Sequence, residues 1–387
     1  MTADMLDEGS GDRSAIEVHE AIARLGTQLE TDIGADAVVA GFTVLSRFAD
    51  RALGLLADVV ARPALREPDV ARVRQLRLHR LTQLRDVPSA IADRAFLSLI
   101  YGAHPYGHSP IGTEQSLASM TVGDVEAFHA RVIRPSVATL IAVGDCDHET
   151  IRRQAGDAFG GWKDGAVDGE ISDTDLPHPV PLSIVPRPAA PQSELRIGHV
   201  AAPRNTPDYH ALVTANMVLG GQFTSRINMN LREDKGFTYG ARTAFEFRRR
   251  PGPFVLQVGV QTSATAESIA ESIGEIAAMV STRPITGEEL RLAAAALTRG
   301  YARNFETADQ IARAATQLAL YDLPDAYFAD FVPIVERLTT DEVTSAMARH
   351  LHASRLTTVI VGDYDAIGSD LGGLGLGDPL VLPAETF

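Results

Sequence analysis

An α+β protein of two duplicated domains is predicted by three observations: a length beyond one core, an internal repeat, and helix-to-strand transitions at matching places in each half. The 387 residues exceed what one hydrophobic core usually organises, and 45% of them are hydrophobic, enough to pack two. The repeat is direct. TVGDVEAFHARVIRPSVATLIAVGD ends at Asp145 and TTDEVTSAMARHLHASRLTTVIVGD ends at Asp363, with Thr121, Val125 and Gly144 recurring as Thr339, Val343 and Gly362 at a constant offset of 218. An Arg-Pro pair stands earlier in each half, at 62–63 and 283–284. In both repeats a Thr-x-x-Asp or Thr-x-x-Glu start caps a helix, and an apolar, β-branched strand follows.

The remaining elements follow in chain order. Phe48, Ala52, Leu55, Leu56, Val59 and Val60 share one helical face, which predicts a helix over 48–60 closed by Pro63. Residues 164–194 combine acidic residues, glycine and many prolines, as an exposed linker does, and divide the chain into domains 1–163 and 195–387. FTYGARTAFEF (237–247) alternates, putting Phe237, Tyr239, Ala241, Thr243, Phe245 and Phe247 on one face of a strand. PFVLQVGVQ (253–261) is its expected antiparallel neighbour, with RRRPG as the turn. Gly220 and Gly221 read as a helix stop and turn, since no Gly-rich strand-to-helix motif surrounds them to cradle a phosphate.

Composition excludes several classes. A formal charge of −15 argues against a nucleic-acid binder, which needs a basic face for phosphates. The acidic balance suits cationic peptides, although it is more often a solubility feature. The longest apolar runs are strand-like pieces such as ATLIAV (138–143), so no membrane span is expected. The single cysteine, Cys146, rules out an internal disulfide and a multi-thiolate site, and is expected to be a buried thiol. The opening MTADMLDEGSGDRS has no apolar h-region, and the compartment stays undecided.

The segment LGGQFTSRINMNLREDKGFTYGARTAF (219–245) resembles the signature of the second domain of pitrilysin/insulinase-type zinc metallopeptidases, the family that includes mitochondrial processing peptidase. The first half is similar too, through RSAIEVHEAIARLGTQLETDIGADAVVAGFTVLSRFADRALGLLADVV, AHPYGHSPIGTEQSL and VGDCDHETI, so the resemblance spans essentially the whole chain. It implies two mostly antiparallel sheets with helices, enclosing a peptide chamber. Active members carry a His-x-x-Glu-His helix, in which histidines at i and i+4 hold zinc and the glutamate activates water. Here that motif is absent. The resemblance places Ala3 at the catalytic glutamate and Asp4 at the second histidine; the first domain therefore reads as truncated at its amino terminus. Counting back from Asp86 and Pro88 puts Arg80 at the third ligand, where a guanidinium repels a metal, and Val73 at a further acidic position.

No other metal constellation is expected. His104 and His108 stand in a loop broken by Pro105 and Gly107, and His350 and His352 lie at a helix end as expected surface residues. Arg72, Arg74, Arg77, Arg80 and Arg85 form a basic run over 68–85; Arg77 points with Val70, Val73, Leu81 and Leu84, so Arg77 and Arg80 are expected to face the cavity or a partner's acidic surface. The alternative is snorkelling over the domain edge.

Arg232 and Tyr239 match the arginine and tyrosine that the family's second domain presents to substrate. Their chemistry suits this, since a guanidinium holds a peptide carbonyl and a phenol polarises a developing oxyanion. The resemblance therefore implies the non-catalytic, substrate-binding subunit of a bacterial-type heterodimeric zinc endopeptidase. No cofactor is expected in this chain; zinc is expected in a catalytic partner bearing His-x-x-Glu-His, and the ligand is a peptide. The strand at 237–247 could also supply backbone groups for an extended peptide, although the resemblance makes an edge strand of the first domain the usual site, at a location the sequence leaves open. Two other readings stand beside this one: a peptide-binding or assembly scaffold without peptidase activity, and an autonomous peptidase completed by further amino-terminal sequence.

Overall fold

The structure, a computed structural model, describes residues 1–164 and 176–386; the 165–175 stretch of the expected linker lies outside the described residues. The described residues form two compact units. The first comprises 1–82, 110–164 and 304–320, and the second 83–109, 176–303 and 321–386. These units are not the sequence halves, because residues 83–109 pack with the second and 304–320 with the first.

In the first unit β1 (Gly9–Ser10) and β2 (Arg13–Ser14) pair antiparallel and lead into α1 (Ala15–Ala23), which opens with a Ser14–Glu17 capping box. The hairpin of β3 (Glu30–Ile33) and β4 (Val38–Gly41) follows, then α2 (Ala49–Ala61) over the predicted helix and α3 (Glu67–Leu84). Val18 and Ile22 of α1 meet Ala52, Leu55 and Val59 of α2, while Met5, Leu65, Val70, Val73 and Val125 form a second apolar cluster. Each buried Val, Leu, Ile or Met side chain here contributes about 1.5–3 kcal/mol. After α4 (Pro88–Tyr101), which belongs to the second unit, come α5 (Glu114–Ser119), α6 (Val122–Val132) and α7 (His148–Phe159).

The expected strand at 138–143 does not form: it joins no sheet among the described residues, and Leu140 is exposed. A strand exists only through neighbours that take its backbone hydrogen bonds, and apolar β-branched residues alone do not supply them. The first unit therefore carries two small two-stranded pieces in place of the expected larger sheet.

The second unit contains β5 (Leu182–Pro186), β6 (Gln192–Val200), α8 (Tyr209–Asn216), α9 (Arg226–Asn228), β7 (Ala241–Phe245) and β8 (Pro253–Gln261). These are followed by α10 (Thr265–Met279), α11 (Gly287–Thr298), α12 (Ala308–Tyr321, largely part of the first unit), α13 (Tyr327–Arg337), α14 (Thr340–His350), β9 (Thr357–Gly362), α15 (Tyr364–Leu371) and β10 (Leu380–Val381). The six-stranded sheet runs β10-β5-β9-β6-β8-β7, parallel from β10 to β9 and antiparallel from there on. β5 corrects the linker reading. Leu182, Ser183, Ile184 and Val185 are buried between prolines, and Pro181 contributes its carbonyl to Thr358 N–H at 3.1 Å, so a proline-rich composition hid an interior strand.

One sheet face packs on α4, where Ile91, Ala92, Ala95 and Phe96 meet Val185, Val255, Val359 and Val361. Arg196 of β6, only 4% exposed, fixes the fit by bonding Asp93 of α4 at 2.6 Å and Glu194 at 3.1 Å. The opposite face holds the larger core, with Leu195, Ile197, Leu256 and Ile360 under Leu212, Ile276 and Met347. The predicted repeat is visible in the caps: Thr121 with Asp124 opens α6 and Thr339 with Glu342 opens α14.

Candidate functional site

In the first unit Asp4 and Arg80, two of the expected metal positions, line one cleft, and Asp4 pairs with Arg77. Residues Thr2–Met5 form a 3₁₀ turn that buries Ala3 and turns Asp4 toward α3. Asp4 accepts from Nε of Arg77, whose Nη1 also donates to the carbonyls of Pro110 (2.9 Å) and Ile111 (3.0 Å). Burial pushes the Asp4 carboxyl up, but the Arg77 hydrogen bond and nearby positive charge outweigh it and hold the group below its ordinary range. Val73, Leu76, Arg77 and Arg80 share one face of α3 and line a cleft of about 380 Å³ with Asp4, Glu8, Pro110 and Ile111.

These residues do not fit a zinc ion. The one carboxylate at a ligand position is engaged by a guanidinium, and Arg80 brings a second positive charge to the cleft. Among the described residues no group of three or more His, Cys, Asp or Glu is placed to hold a metal. Arg77 thus faces the cleft as the periodicity predicts, while Arg72 pairs with Glu8 and Arg74 donates to the Met120 carbonyl at 2.6 Å.

In the second unit, Arg232 lies in a π-helical turn, Met229–Asp234, directly after α9. The chain reverses at Gly236, whose φ of 68° favours glycine, and Phe237 N–H bonds the Leu231 carbonyl at 2.9 Å. Tyr239 then sits on an exposed bend before β7, not on the strand the alternation predicts, and is 91% exposed. The alternation fails there because Thr238 turns its hydroxyl to the Gly259 carbonyl (2.7 Å) and the Gly240 carbonyl (3.0 Å), which redirects the backbone. The Arg232 guanidinium lies 4.4 Å over the Phe223 ring and pairs with Glu233 at 3.4 Å. Phe223, 56% exposed, is a neighbour that sequence reasoning missed, since it precedes the charged part of the motif with no periodic signal.

The outer edge of β7 is partly taken by side chains at Ala241 and Thr243, which narrows what this strand can offer a peptide. Asn228 donates to the Ala241 carbonyl (2.8 Å) and accepts from its N–H (2.9 Å), and Asn216 donates to the Thr243 carbonyl (3.0 Å). Gly220 completes this packing. A Cβ there would lie 2.5 Å from Thr243 Oγ1, so the glycine pair serves close approach as well as the helix end. Arg226, the arginine of the Ser-Arg pair, makes a fork to Glu289 at 2.7 Å and donates to the Pro284 carbonyl at 3.0 Å. Thr286-x-x-Glu289 is a capping box, a signal present in the sequence.

His104 is structural, buried between Tyr101 and Tyr106 with Nδ1 accepting from Tyr106 N–H. His350 and His352 are half-buried and engaged, not freely exposed. His350 bonds Asp208 at 2.8 Å, and His352 stacks on His199 and donates its backbone N–H to His199 Nε2 at 3.0 Å. Cys146 is exposed, not buried, because its loop follows the segment that forms no strand.

The geometry defines a mixed helix-and-sheet fold in which Asp4, expected at a metal-ligand position, pairs with Arg77 instead. Residues 119–297 match the family model described as the peptidase M16 inactive domain. An uncharacterized zinc protease of Mycobacterium leprae is 24% identical over 369 residues, covering 93% of this chain and 81% of that relative. Another, from Bacillus subtilis, is 23% identical over 286 residues, covering 74% and 69%. A crystal structure of a peptidase M16 inactive domain from Pseudomonas fluorescens superposes with a TM-score of 0.87 at 25% identity, covering 94% of this chain and 87% of that one. A Helicobacter pylori protease shares the fold, with a TM-score of 0.83 at 18% identity over 93% and 89% of the two chains. In sequence and fold this chain is similar to pitrilysin/insulinase-type (M16) peptidases, and no His-x-x-Glu-His motif occurs in its sequence.

Proposed function

We propose that this chain is the non-catalytic, substrate-binding subunit of a heterodimeric zinc metalloendopeptidase that acts on peptides. The observation that carries this reading is Tyr239, an aromatic side chain 91% exposed on a bend held by side-chain hydrogen bonds, just beyond Arg232. A phenol of this size usually buries its ring, so a rigid loop that presents it to solvent suits recognition better than packing.

The partner supplies zinc and the glutamate that together activate water. In this chain, the Arg232 guanidinium holds a substrate carbonyl, and its seat over Phe223 limits the orientations it samples. The Tyr239 hydroxyl donates to the oxygen on which negative charge develops. The Asp4–Arg77 pair engages the carboxylate expected at a ligand position, which supports assigning the metal to the partner.

The test is zinc content and peptide hydrolysis of the purified chain alone and mixed with a candidate chain bearing His-x-x-Glu-His. Zinc-free inactivity alone with hydrolysis on mixing supports the split site. Stoichiometric zinc with solo hydrolysis contradicts it, whereas peptide binding with no hydrolysis in any mixture favours the scaffold.

A further inference from the structure

We propose that the cleft on α3 binds a carboxylate carried on a short apolar stem, such as a peptide's carboxyl terminus or an acidic side chain. This goes beyond the second-unit pair and concerns the first unit alone; only the choice of a peptide as carrier draws on the reading above.

Two features of the cleft specify the ligand. Its wall is apolar, made by Val73, Leu76, Pro110 and Ile111, and Leu76 is 56% exposed, an uncovered surface that an apolar stem would bury. Its cations are the guanidinium groups of Arg77 and Arg80, one helical turn apart. At about 380 Å³ the cleft stands near the small end of ligand sites and admits one side chain or chain end, not a folded surface.

Asp4 already demonstrates the chemistry, because its carboxylate is held by Arg77 Nε and by the Met1 amino group at 3.3 Å, while Arg77 Nη1 is fixed on two carbonyls. That side chain is 36% exposed, so an incoming carboxylate competes with it for Arg77 while also reaching Arg80. Glu8 lines the cleft too, but it is engaged by Arg72. Two resident carboxylates disfavour a doubly charged phosphate and tolerate a singly charged acid.

The first arm of the test is calorimetric titration of the full chain with 4-phenylbutyrate and with its neutral amide, 4-phenylbutyramide. The acid is expected to bind roughly tenfold tighter than the amide. Arg80→Gln is expected to weaken the acid roughly three- to tenfold and leave the amide unchanged. Asp4→Asn removes the internal competitor and is expected to strengthen the acid, an opposite sign that general destabilisation does not produce. Equal binding of acid and amide, binding of neither, or an unchanged preference in a folded Arg80→Gln protein overturns the proposal.

The second arm compares peptides with free and amidated carboxyl ends, and with Glu or Gln inside. A charge preference in the first pair assigns the chain end, and one in the second pair assigns the side chain. No preference in either overturns the peptide as carrier. Arg232→Ala leaves these preferences intact, so failure of the split-site reading and failure of this cleft are separately visible.

Discussion

Asp4 of the opening turn and Arg77 of α3 form an ion pair, and Arg77 ties the same guanidinium to the carbonyls of Pro110 and Ile111. One side chain thereby joins the opening turn, α3 and the segment before α5. Arg77 is 13% exposed, so removing it leaves two carbonyls without their donor and Asp4 with only the Met1 amino group at 3.3 Å. Arg77→Ala is expected to cost about 2 kcal/mol, read as a lower urea midpoint with an unchanged slope. An unchanged midpoint would show that the pair is incidental.

Burial drives the acid sensitivity of the second unit. His199 is buried among β6, Phe254 and His352, and desolvation brings it down to about 4, with the neighbouring charges of His352 and Arg355 adding to the effect. Its folded value is depressed, so the unfolded chain takes up the proton first as pH falls, and stability is lost between about pH 6.5 and 4. The loss is expected to approach about 3 kcal/mol. Urea midpoints from pH 7 down to 4.5 should fall less steeply in His199→Gln; parallel curves would contradict the assignment.

Glu289 acts in a lower window. Burial pushes its carboxyl up, but the Arg226 fork and the Thr286 cap outweigh this and bring it down to about 2. Its contribution is complete above about pH 4.5 and is lost as pH falls toward 2. Because the group is partly solvated, about 1–2 kcal/mol is expected. Glu289→Gln should lower stability at pH 7 and remove that part of the acid transition, as followed by circular dichroism.

The partly covered edge of β7 is testable through Asn228, which is 7% exposed. Asn228→Ala leaves both backbone groups of Ala241 unpaired and is expected to cost about 2–3 kcal/mol, with faster amide exchange at Ala241. Unchanged exchange would mean that the edge is protected by something else.

The sequence made some elements legible and concealed others for physical reasons. α2, the β7–β8 pairing and the caps of the two repeat helices were readable because each rests on local periodicity or capping chemistry. β5 was missed because Pro181 and Pro186 resemble linker punctuation, although both sit at the ends of a buried strand. Residues 138–143 were overcalled because apolar β-branched composition does not reveal whether a neighbour strand is present. The positions of Asp4 and Arg77 followed from alignment and helical phase, but their mutual ion pair spans 73 residues and leaves no local signature. Tyr239 was placed on the wrong element by an alternation that Thr238 interrupts, and its exposure is visible only in three dimensions.

The central claim rests on Arg232 and Tyr239 reaching a partner's substrate. The most direct measurement is kcat of the mixed pair with Tyr239→Phe in this chain, with co-elution of the two chains checked in parallel. A drop of roughly 10²-fold with assembly intact is expected if the hydroxyl stabilises developing charge. An unchanged kcat in an intact, zinc-loaded complex would show that Tyr239 takes no part in the reaction and would contradict the shared site.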